Sequence, residues 1–204
     1  MITLSTPLRD SKKSLEEVIS KRRSVRNFDS SPIPPEALST LCWAGQGITS
    51  SRGRYRAAPS AGALYPIFLY VALGEESVEG ISAGVHLYNP EEHALERVAE
   101  EDVRRVLAGA ALGQMWMSHA AVMFLIVVEY PRITRKYGNR GMLYAHYEAG
   151  HVAQNILLEA VALELGACEV GAFDDYAVME RAGLPDKQEP LLLISVGHPA
   201  RSDF

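Results

Sequence analysis

The spacing of apolar residues predicts several amphipathic helices. The longest signal covers residues 144–165, where apolar residues recur every three or four positions along one face. They are Ala149, Val152, Ala153, Ile156, Leu157, Ala160 and Val161. Gly166 is suited to end this helix. An earlier helix is expected after Ser14, which forms a capping box with Glu17, and Pro35 is suited to the first position of the next one.

Apolar runs predict the strands of a sheet. Residues 67–73 are apolar and β-prone, and residues 121–128 are apolar without interruption, as in a strand buried on both faces. The shorter expected elements are a hairpin over 85–98, helices over 101–110 and 174–182, and a last strand over 191–196. Because helices and strands alternate irregularly, the pattern indicates an α+β fold with a central mixed or antiparallel sheet, flanking helices and a long core helix.

Length and composition narrow the classes of protein that remain. The 204 residues suit a single domain, 1–204, whose polar residues 1–14 predict a loose arm. A net charge of −5 argues against nucleic-acid binding. We expect no signal peptide and no membrane span, because the longest apolar run, 120–128, is too short for a bilayer. Cys42 and Cys168 lie in apolar surroundings and predict reduced core thiols in a cytoplasmic protein.

Basic residues cluster just after the first expected helix. They are Lys21, Arg22, Arg23 and Arg26, with Ser24 among them. Guanidinium groups bind a phosphate dianion with paired donors, and a serine hydroxyl adds a further donor. A solvated basic run at a helix end, favoured by the helix dipole, explains the same residues. Arg201, which follows the last strand, is a candidate for another phosphate contact.

The segment 58–66 is rich in small residues and proline, which lets a backbone approach a flat ring closely. Its candidate binding residues are Pro59, Ser60, Ala61, Gly62 and Leu64. An ordinary turn before a strand is the plainer interpretation. Ser60, Asp174 and His198 follow the chain order of an α/β-hydrolase triad, but a nucleophile elbow needs glycine where Ala58 stands and a helix where a strand is expected. A serine hydrolase is therefore disfavoured.

Two polar segments remain. Lys136 and Tyr137 can exchange protons once a pocket shifts their acidity, although an exposed basic loop over 135–141 is an equal interpretation. On the long helix, His146 and His151 are five positions apart, whereas a zinc pair needs four, so we expect no metal site. Polar groups on that helix, including Glu148, are expected to serve a subunit contact or a buried hydrogen-bond network.

The turn over residues 170–175 follows a short apolar strand and offers backbone N–H groups from Val170, Gly171 and Ala172. Asp174 is suited to cap the helix that follows. A simple strand-to-helix turn explains the same residues. Gly45-Gln46-Gly47 lacks a preceding strand and a third glycine, so no dinucleotide-binding fold is indicated.

The order of these segments is more specific than any one of them. Arg-Arg-Ser-Val-Arg at 22–26 is followed by Leu-Cys-Trp-Ala-Gly-Gln-Gly-Ile-Thr at 41–49, Pro-Ser-Ala-Gly-Ala-Leu-Tyr-Pro at 59–66, Lys-Tyr-Gly-Asn-Arg-Gly at 136–141, Glu-Ala-Gly-His-Val-Ala-Gln-Asn at 148–155 and Gly-Ala-Phe-Asp-Asp at 171–175. This series resembles the nitroreductase superfamily, and within it the SagB-type dehydrogenases (azoline oxidases), over residues 15–199.

The resemblance implies a nitroreductase-like FMN-binding fold in a homodimer, with the flavins at the subunit interface and the long helix at the dimer core. It assigns phosphate and ribityl binding to Arg22, Arg23, Ser24 and Arg26. It places residues 59–64 against the flavin of the other subunit, and residues 170–172 beside the ring. Lys136 and Tyr137 match the Lys-Tyr pair implicated in proton removal by azoline oxidases.

The expected activity is that of an FMN-dependent oxidoreductase that passes a hydride through flavin N5 in two half-reactions. In one version NAD(P)H is the donor and a nitroaromatic or quinone the acceptor. In the other, a thiazoline or oxazoline ring is oxidised and oxygen is the acceptor. A non-catalytic flavin-binding module is a further alternative. The sequence does not identify the small-molecule substrate.

Overall fold

The computed structural model describes residues 1–50 and 55–200. The helices are α1 (Leu15–Lys21), α2 (Pro35–Gln46), α3 (Arg104–Ala110), α4 (Pro131–Tyr137), α5 (Arg140–Ala162) and α6 (Asp175–Ala182). The strands are β1 (Ile2–Thr3), β2 (Ile67–Leu73), β3 (Gly84–Asn89), β4 (Ala94–Ala99), β5 (Val122–Val128), β6 (Gly166–Val170) and β7 (Glu189–Gly197). Short 3₁₀ turns cover Ala61–Ala63 and Met115–His119.

The seven strands within residues 1–50 and 55–200 form a single antiparallel sheet in the order β1-β4-β3-β2-β5-β7-β6. The central strand β5 is buried along its whole length because both of its faces are covered. Phe124 and Ile126 face the core shared with α2 and α5, whereas Met123 and Leu125 face the core shared with α3 and α6. Helix, sheet and helix thus form three layers, which confirms the α+β prediction and explains the uninterrupted apolar run.

Helix termini follow the side chains that cap them. The Ser14 hydroxyl accepts a hydrogen bond from the Glu17 N–H at 3.2 Å, and the Asp174 carboxylate accepts one from the Ala177 N–H at 2.9 Å, as predicted. The prediction for Gly166 is wrong. The long helix ends earlier, with Glu164 in a left-handed conformation at φ 62°, and Gly166 begins β6.

The N-terminal segment is packed against the fold rather than loose. Ile2 and Thr3 pair with β4, and the Leu4 N–H donates to the His93 carbonyl at 3.1 Å. Further along, the Leu8 N–H donates to the Thr40 hydroxyl and the Lys13 ammonium donates to the Val161 carbonyl. Main-chain groups mediate these contacts, so polar composition alone gave no sign of them.

One further expectation also differs from the structure. The basic segment 135–141 is not a loop, because α4 begins with Pro131 at its first position and continues to Tyr137. Its apolar periodicity is weak, since Ile133 is its buried residue. In α1, Val18 is buried, but Leu15 and Ile19 are 62% and 55% exposed in the isolated chain. Cys42 and Cys168 are buried free thiols, as expected.

Candidate functional site

The loop of residues 59–64 lies directly against Lys136 and Tyr137. Gly62 has φ 63°, and a Cβ placed on it would lie 2.7 Å from the Tyr137 hydroxyl and 2.8 Å from the Lys136 ammonium. No side chain fits in that space without displacing both groups. Two segments singled out separately in the sequence, more than 70 positions apart, therefore form one contact.

The 59–64 loop is held by its own hydrogen bonds. The Ser60 hydroxyl accepts from the Tyr65 N–H at 2.9 Å, and the Ser60 carbonyl accepts from the Ala63 N–H at 3.1 Å. Ala63 and Tyr65 both adopt positive φ, at 53° and 47°, so the loop turns sharply before β2 begins. This bond to Ser60 supports a structural role for its hydroxyl rather than the nucleophilic one that was disfavoured above.

The Lys-Tyr pair is positioned by α4 and α5. Lys136 and Tyr137 end α4, and the ammonium of Lys136 lies 5.2 Å from the centre of the Tyr137 ring. The Tyr137 ring meets Tyr144 of α5 edge-on at 5.2 Å between ring centres. The Lys136 ammonium and the Tyr137 hydroxyl thus lie together beside the exposed backbone of Gly62. This arrangement can pass a proton to or from a ligand lying over Gly62.

A buried carboxyl lies on α5, the helix that contacts the turn Ala61–Ala63. Glu148 of α5 is 2% exposed. Burial raises its pKa to about 7, opposed by the Ser60 side chain, the Arg56 charge and the Ile67 N–H. The sequence placed Glu148 among polar groups expected in a network, but a single glutamate on an alanine-rich helix did not indicate which residues it would face.

Arg56 connects Glu148 to neighbouring elements. Its guanidinium donates to the Gln46 side-chain oxygen at 2.9 Å and stacks over the Tyr65 ring at 4.3 Å. A cavity of about 280 Å³ lies beside it, with Arg132 of α4 in its lining. Sequence reasoning missed both arginines, because neither belongs to a recognisable motif.

The basic cluster of residues 22–26 lies beside the start of β6, at the end of the sheet away from the 59–64 loop. Ser24 forms a parallel bridge with Ala167, and the Val25 N–H donates to the Ala167 carbonyl at 3.0 Å. Alternation along this extended segment turns Val25 into the core against Gly166. A cavity of about 360 Å³ is lined by residues 23–27.

Arg22, Ser24 and Arg26 share one environment, whereas Arg23 differs. Burial raises the pKa of the Cys168 thiol, and Arg26, Ser24 and Arg22 oppose that shift, so all three lie near the same point of β6. The Arg23 guanidinium instead turns back to donate to the Lys21 carbonyl at 2.9 Å. Arg23 still lines the cavity of residues 23–27 with Ser24 and Arg26, but its guanidinium is engaged by the Lys21 carbonyl.

The turn after β6 is exposed at the other end of that strand. Val170 is buried, while Gly171 and Ala172 are exposed. A Cβ on Gly171 would meet Leu192 at 3.6 Å, an ordinary contact, so this glycine is not required by crowding. From the Ser24 bridge at Ala167 to Gly171 the chain advances four residues, or about 13 Å along the strand.

Strand registers show where the 59–64 loop lies relative to β6. The start of β2, which follows the 59–64 loop, and the end of β6 lie at the same end of the sheet. Three strand spacings separate β2 from β6, about 14 Å. One chain therefore brings together the 59–64 loop, Lys136 and Tyr137, but holds the Arg22 cluster apart from them. Arg201 lies outside the described residues.

The residues of the disfavoured triad are dispersed. Ser60 precedes β2, Asp174 caps α6, and His198 follows β7 at the opposite end of the sheet. On α5, His146 bonds the Tyr130 hydroxyl at 2.7 Å and Asn155 donates to the Ala44 carbonyl at 3.0 Å. The His146 contact is exposed and the Asn155 contact is partly buried, so neither belongs to a fully buried hydrogen-bond network. Within the described part of the chain, no helix is long and apolar enough to cross a bilayer.

Two known proteins are similar to this chain in sequence. A putative nitroreductase of Methanocaldococcus jannaschii is 46% identical over 183 residues, which is 90% of each chain. The microcin B17-processing protein McbC of Escherichia coli is 30% identical over 144 residues, which is 68% of this chain and 52% of McbC.

Solved structures share the fold. A putative nitroreductase from Ralstonia eutropha has a TM-score of 0.84 at 29% identity, over 98% of this chain and 89% of that one. The NADPH:FMN oxidoreductase from Vibrio harveyi, solved with NAD⁺, has a TM-score of 0.66 at 24% identity, over 92% of this chain and 69% of that one. The nitroreductase family model matches residues 19–198, most of the chain, and the protein therefore belongs to the nitroreductase family.

Proposed function

We propose that the protein is an FMN-dependent oxidoreductase that acts as a homodimer. The observation that carries the proposal is the contact of Gly62 with Lys136 and Tyr137, because it places two proton-exchanging groups beside a backbone that a flat ring can approach. Membership of the nitroreductase family, and a fold shared with an NADPH:FMN oxidoreductase, support a flavin as the cofactor.

The residues of the basic cluster fit the phosphate of FMN. Arg22, Ser24 and Arg26 all act on the Cys168 thiol of β6, and guanidinium and hydroxyl groups are the donors that a dianion requires. The advance of about 13 Å from this point to Gly171 suits a ligand with a phosphate at one end and a ring at the other. When bound, FMN supplies a hydride acceptor and donor at N5.

A second subunit completes this site in the proposal. Because three strand spacings separate β2, which follows the 59–64 loop, from β6, which holds the Arg22 cluster, we assign the loop to the flavin held by the other subunit. Large apolar side chains exposed on the neighbouring helices α1 and α5 support a subunit contact at these helices. They are Leu15 and Ile19 on α1, and Met142 and Tyr147 on α5.

Lys136 and Tyr137 are the proposed proton-exchanging residues. The ammonium and phenol would give a proton to, or take one from, a substrate that lies over the 59–64 loop. The backbone at Gly62 excludes water from one side of that position. The Tyr137 ring is held at the end of α4 by its edge-on contact with Tyr144.

Two donor and acceptor pairs follow from this assignment. In the first, NAD(P)H is the donor and a nitroaromatic or quinone the acceptor, as the fold shared with the Vibrio harveyi enzyme suggests. In the second, the substrate is a thiazoline or oxazoline and oxygen is the acceptor. The match to McbC and the adjacency of Lys136 and Tyr137 favour this second pair as the alternative.

Anaerobic spectroscopy distinguishes the two versions. Purified protein loaded with FMN is mixed with NADH or NADPH without oxygen, and absorbance of the oxidised flavin is followed. Rapid bleaching supports the first version, and an unbleached flavin contradicts it.

We place the protein in the cytoplasm, since Cys42 and Cys168 are both free thiols.

A further inference from the structure

Gln46, the last residue of α2, has a buried amide nitrogen without a hydrogen-bond acceptor. Gln46 is 1% exposed, and its Oε1 accepts from the Arg56 guanidinium at 2.9 Å. Because a guanidinium only donates, this bond fixes which way the amide points. The Nε2 atom is buried and has no partner within residues 1–50 and 55–200. A buried donor left in this state is costly, so the position requires an acceptor.

Gln46 lines the cavity of about 280 Å³ together with Arg56 and Arg132. The Arg56 guanidinium lies 4.3 Å from the centre of the Tyr65 ring. The Arg132 guanidinium lies 4.5 Å from the centre of the Phe68 ring. A guanidinium stacked on a ring keeps its N–H donors at its edges, where a planar ligand can reach them. The cavity thus combines one amide donor with two guanidinium groups that aromatic rings hold in place.

The charge of Arg56 is only weakly compensated by its neighbours. Burial lowers its pKa, as expected for a guanidinium partly removed from water. Charges on Glu148 and Glu91 act on it, but none of the ion pairs within the described ranges includes Arg56. Arg132 adds a second positive charge nearby. A half-buried guanidinium whose bonded acceptor is a neutral amide attracts an anion.

Two carboxylates limit which anion suits the cavity. Glu91 and Glu96 also belong to its lining, which therefore holds two positive and two negative side chains. These glutamates repel a phosphate dianion more strongly than a ligand with a single negative charge. A planar carboxylate can also accept from a guanidinium edge and from the Gln46 amide at the same time. The cavity volume suits a small molecule.

The cavity adjoins the segments that form the proposed active site. Arg132 precedes Lys136 by one helical turn on α4. The Arg132 guanidinium also donates to the Tyr65 carbonyl at 3.3 Å, and the Tyr65 N–H donates to the Ser60 hydroxyl of the 59–64 loop. A residue that lines the cavity is thus bonded directly to the segment that ends this loop.

We propose that the cavity binds the carboxylate of a small molecule through Gln46 Nε2 and the guanidinium groups of Arg56 and Arg132. The carboxylate belongs to the substrate of the Lys-Tyr pair, because the cavity lies beside α4 and the 59–64 loop. This assignment to the substrate rests on the proposed function, whereas carboxylate binding itself does not.

Benzoate and its neutral analogue benzamide test the site by NMR. In ¹⁵N-labelled protein, the side-chain amide signals of Gln46 are identified by their loss in Gln46→Glu. Benzoate should shift these signals, benzamide should bind at least about tenfold more weakly, and inorganic phosphate should not displace benzoate. Unshifted Gln46 signals would overturn the inference. Equal binding of benzamide, or displacement by phosphate, would overturn the choice of a carboxylate.

Calorimetry with matched variants measures the contribution of each donor. Arg132→Gln and Arg135→Gln both remove one charge from α4, but of these two residues only Arg132 lines the cavity. Arg132→Gln should weaken benzoate binding about tenfold, and Arg135→Gln less than about twofold. Gln46→Glu keeps an oxygen for Arg56 but should weaken benzoate binding at least about tenfold, because it sets a carboxylate against the ligand. Equal affinities of wild type and Arg132→Gln would contradict the proposed site.

Turnover tests the assignment of the carboxylate to the substrate. With NADPH as the donor, Arg132→Gln should raise KM for para-nitrobenzoate at least about tenfold and change KM for para-nitrobenzamide less than about twofold. An equal change for both compounds would overturn the assignment. If wild-type protein reduces neither compound, the nitroaromatic version of the proposed function fails, while benzoate binding still decides whether the cavity is a carboxylate site.

Discussion

Replacing Glu148 with glutamine should stabilise the protein at alkaline pH and change its stability little at pH 4. The folded protein holds the proton of Glu148 more tightly than the unfolded chain, because burial raises the pKa from 4.5 to about 7. Stability is therefore complete below pH 4.5 and falls as pH rises towards 7. At ~1.4 kcal/mol for each pKa unit, the ionised carboxyl costs about 3 kcal/mol above pH 7.

Urea unfolding at pH 4, 6 and 8 measures this cost. The difference in unfolding free energy between Glu148→Gln and wild type should grow by about 3 kcal/mol from pH 4 to pH 8. Glu180→Gln, at an exposed position of α6, is the control and should track the wild type throughout. A Glu148→Gln difference that stays constant within ~0.5 kcal/mol across this range would refute the argument from burial.

Three further predictions concern the proposed site. Arg22→Ala should weaken FMN binding about 10- to 100-fold, because one charge-assisted hydrogen bond is lost. Arg23→Ala should change the affinity for FMN less than about twofold. Equal effects of the two variants in a fluorescence titration would contradict the different roles given to Arg22 and Arg23. Gly62→Ala should slow turnover at least about tenfold by displacing the proton-exchanging groups. Gly80→Ala, at a similar φ of 74° but in open space, should cost only ~1 kcal/mol of stability and leave turnover unchanged. Lys136→Ala should slow steady-state turnover about 100-fold or more while FMN stays bound; full turnover would remove its proton role and favour a flavin-binding module.

The sequence predicted elements whose stabilising interactions are local. Ser14 and Asp174 cap the helices expected from their spacing, since each side chain reaches an N–H three positions away. The apolar run of β5 predicted a strand covered on both faces, because only that environment removes every side chain from water.

Features that depend on distant parts of the chain could not be predicted this way. The contact of Gly62 with Lys136 and Tyr137 requires the fold to join segments more than 70 residues apart. Glu148 begins one of the motifs in the series, but its burial and its proximity to Arg56 depend on the fold. The docking of residues 1–14 depends on main-chain hydrogen bonds, which composition does not encode.

Within the basic cluster, the structure sharpens what the motif implied. The resemblance assigned phosphate binding to four residues equally. In the structure, the Arg23 guanidinium bonds the Lys21 carbonyl, whereas Arg22, Ser24 and Arg26 act on the Cys168 thiol of β6. A motif gives residue types in order, whereas the backbone conformation decides which of them face one ligand.

The most direct test of the account is the cofactor content and mass of the purified protein. Size-exclusion chromatography with light scattering and absorbance detection should show a yellow dimer that releases one FMN per chain on denaturation. A colourless protein that cannot be reconstituted with FMN would contradict the central claim.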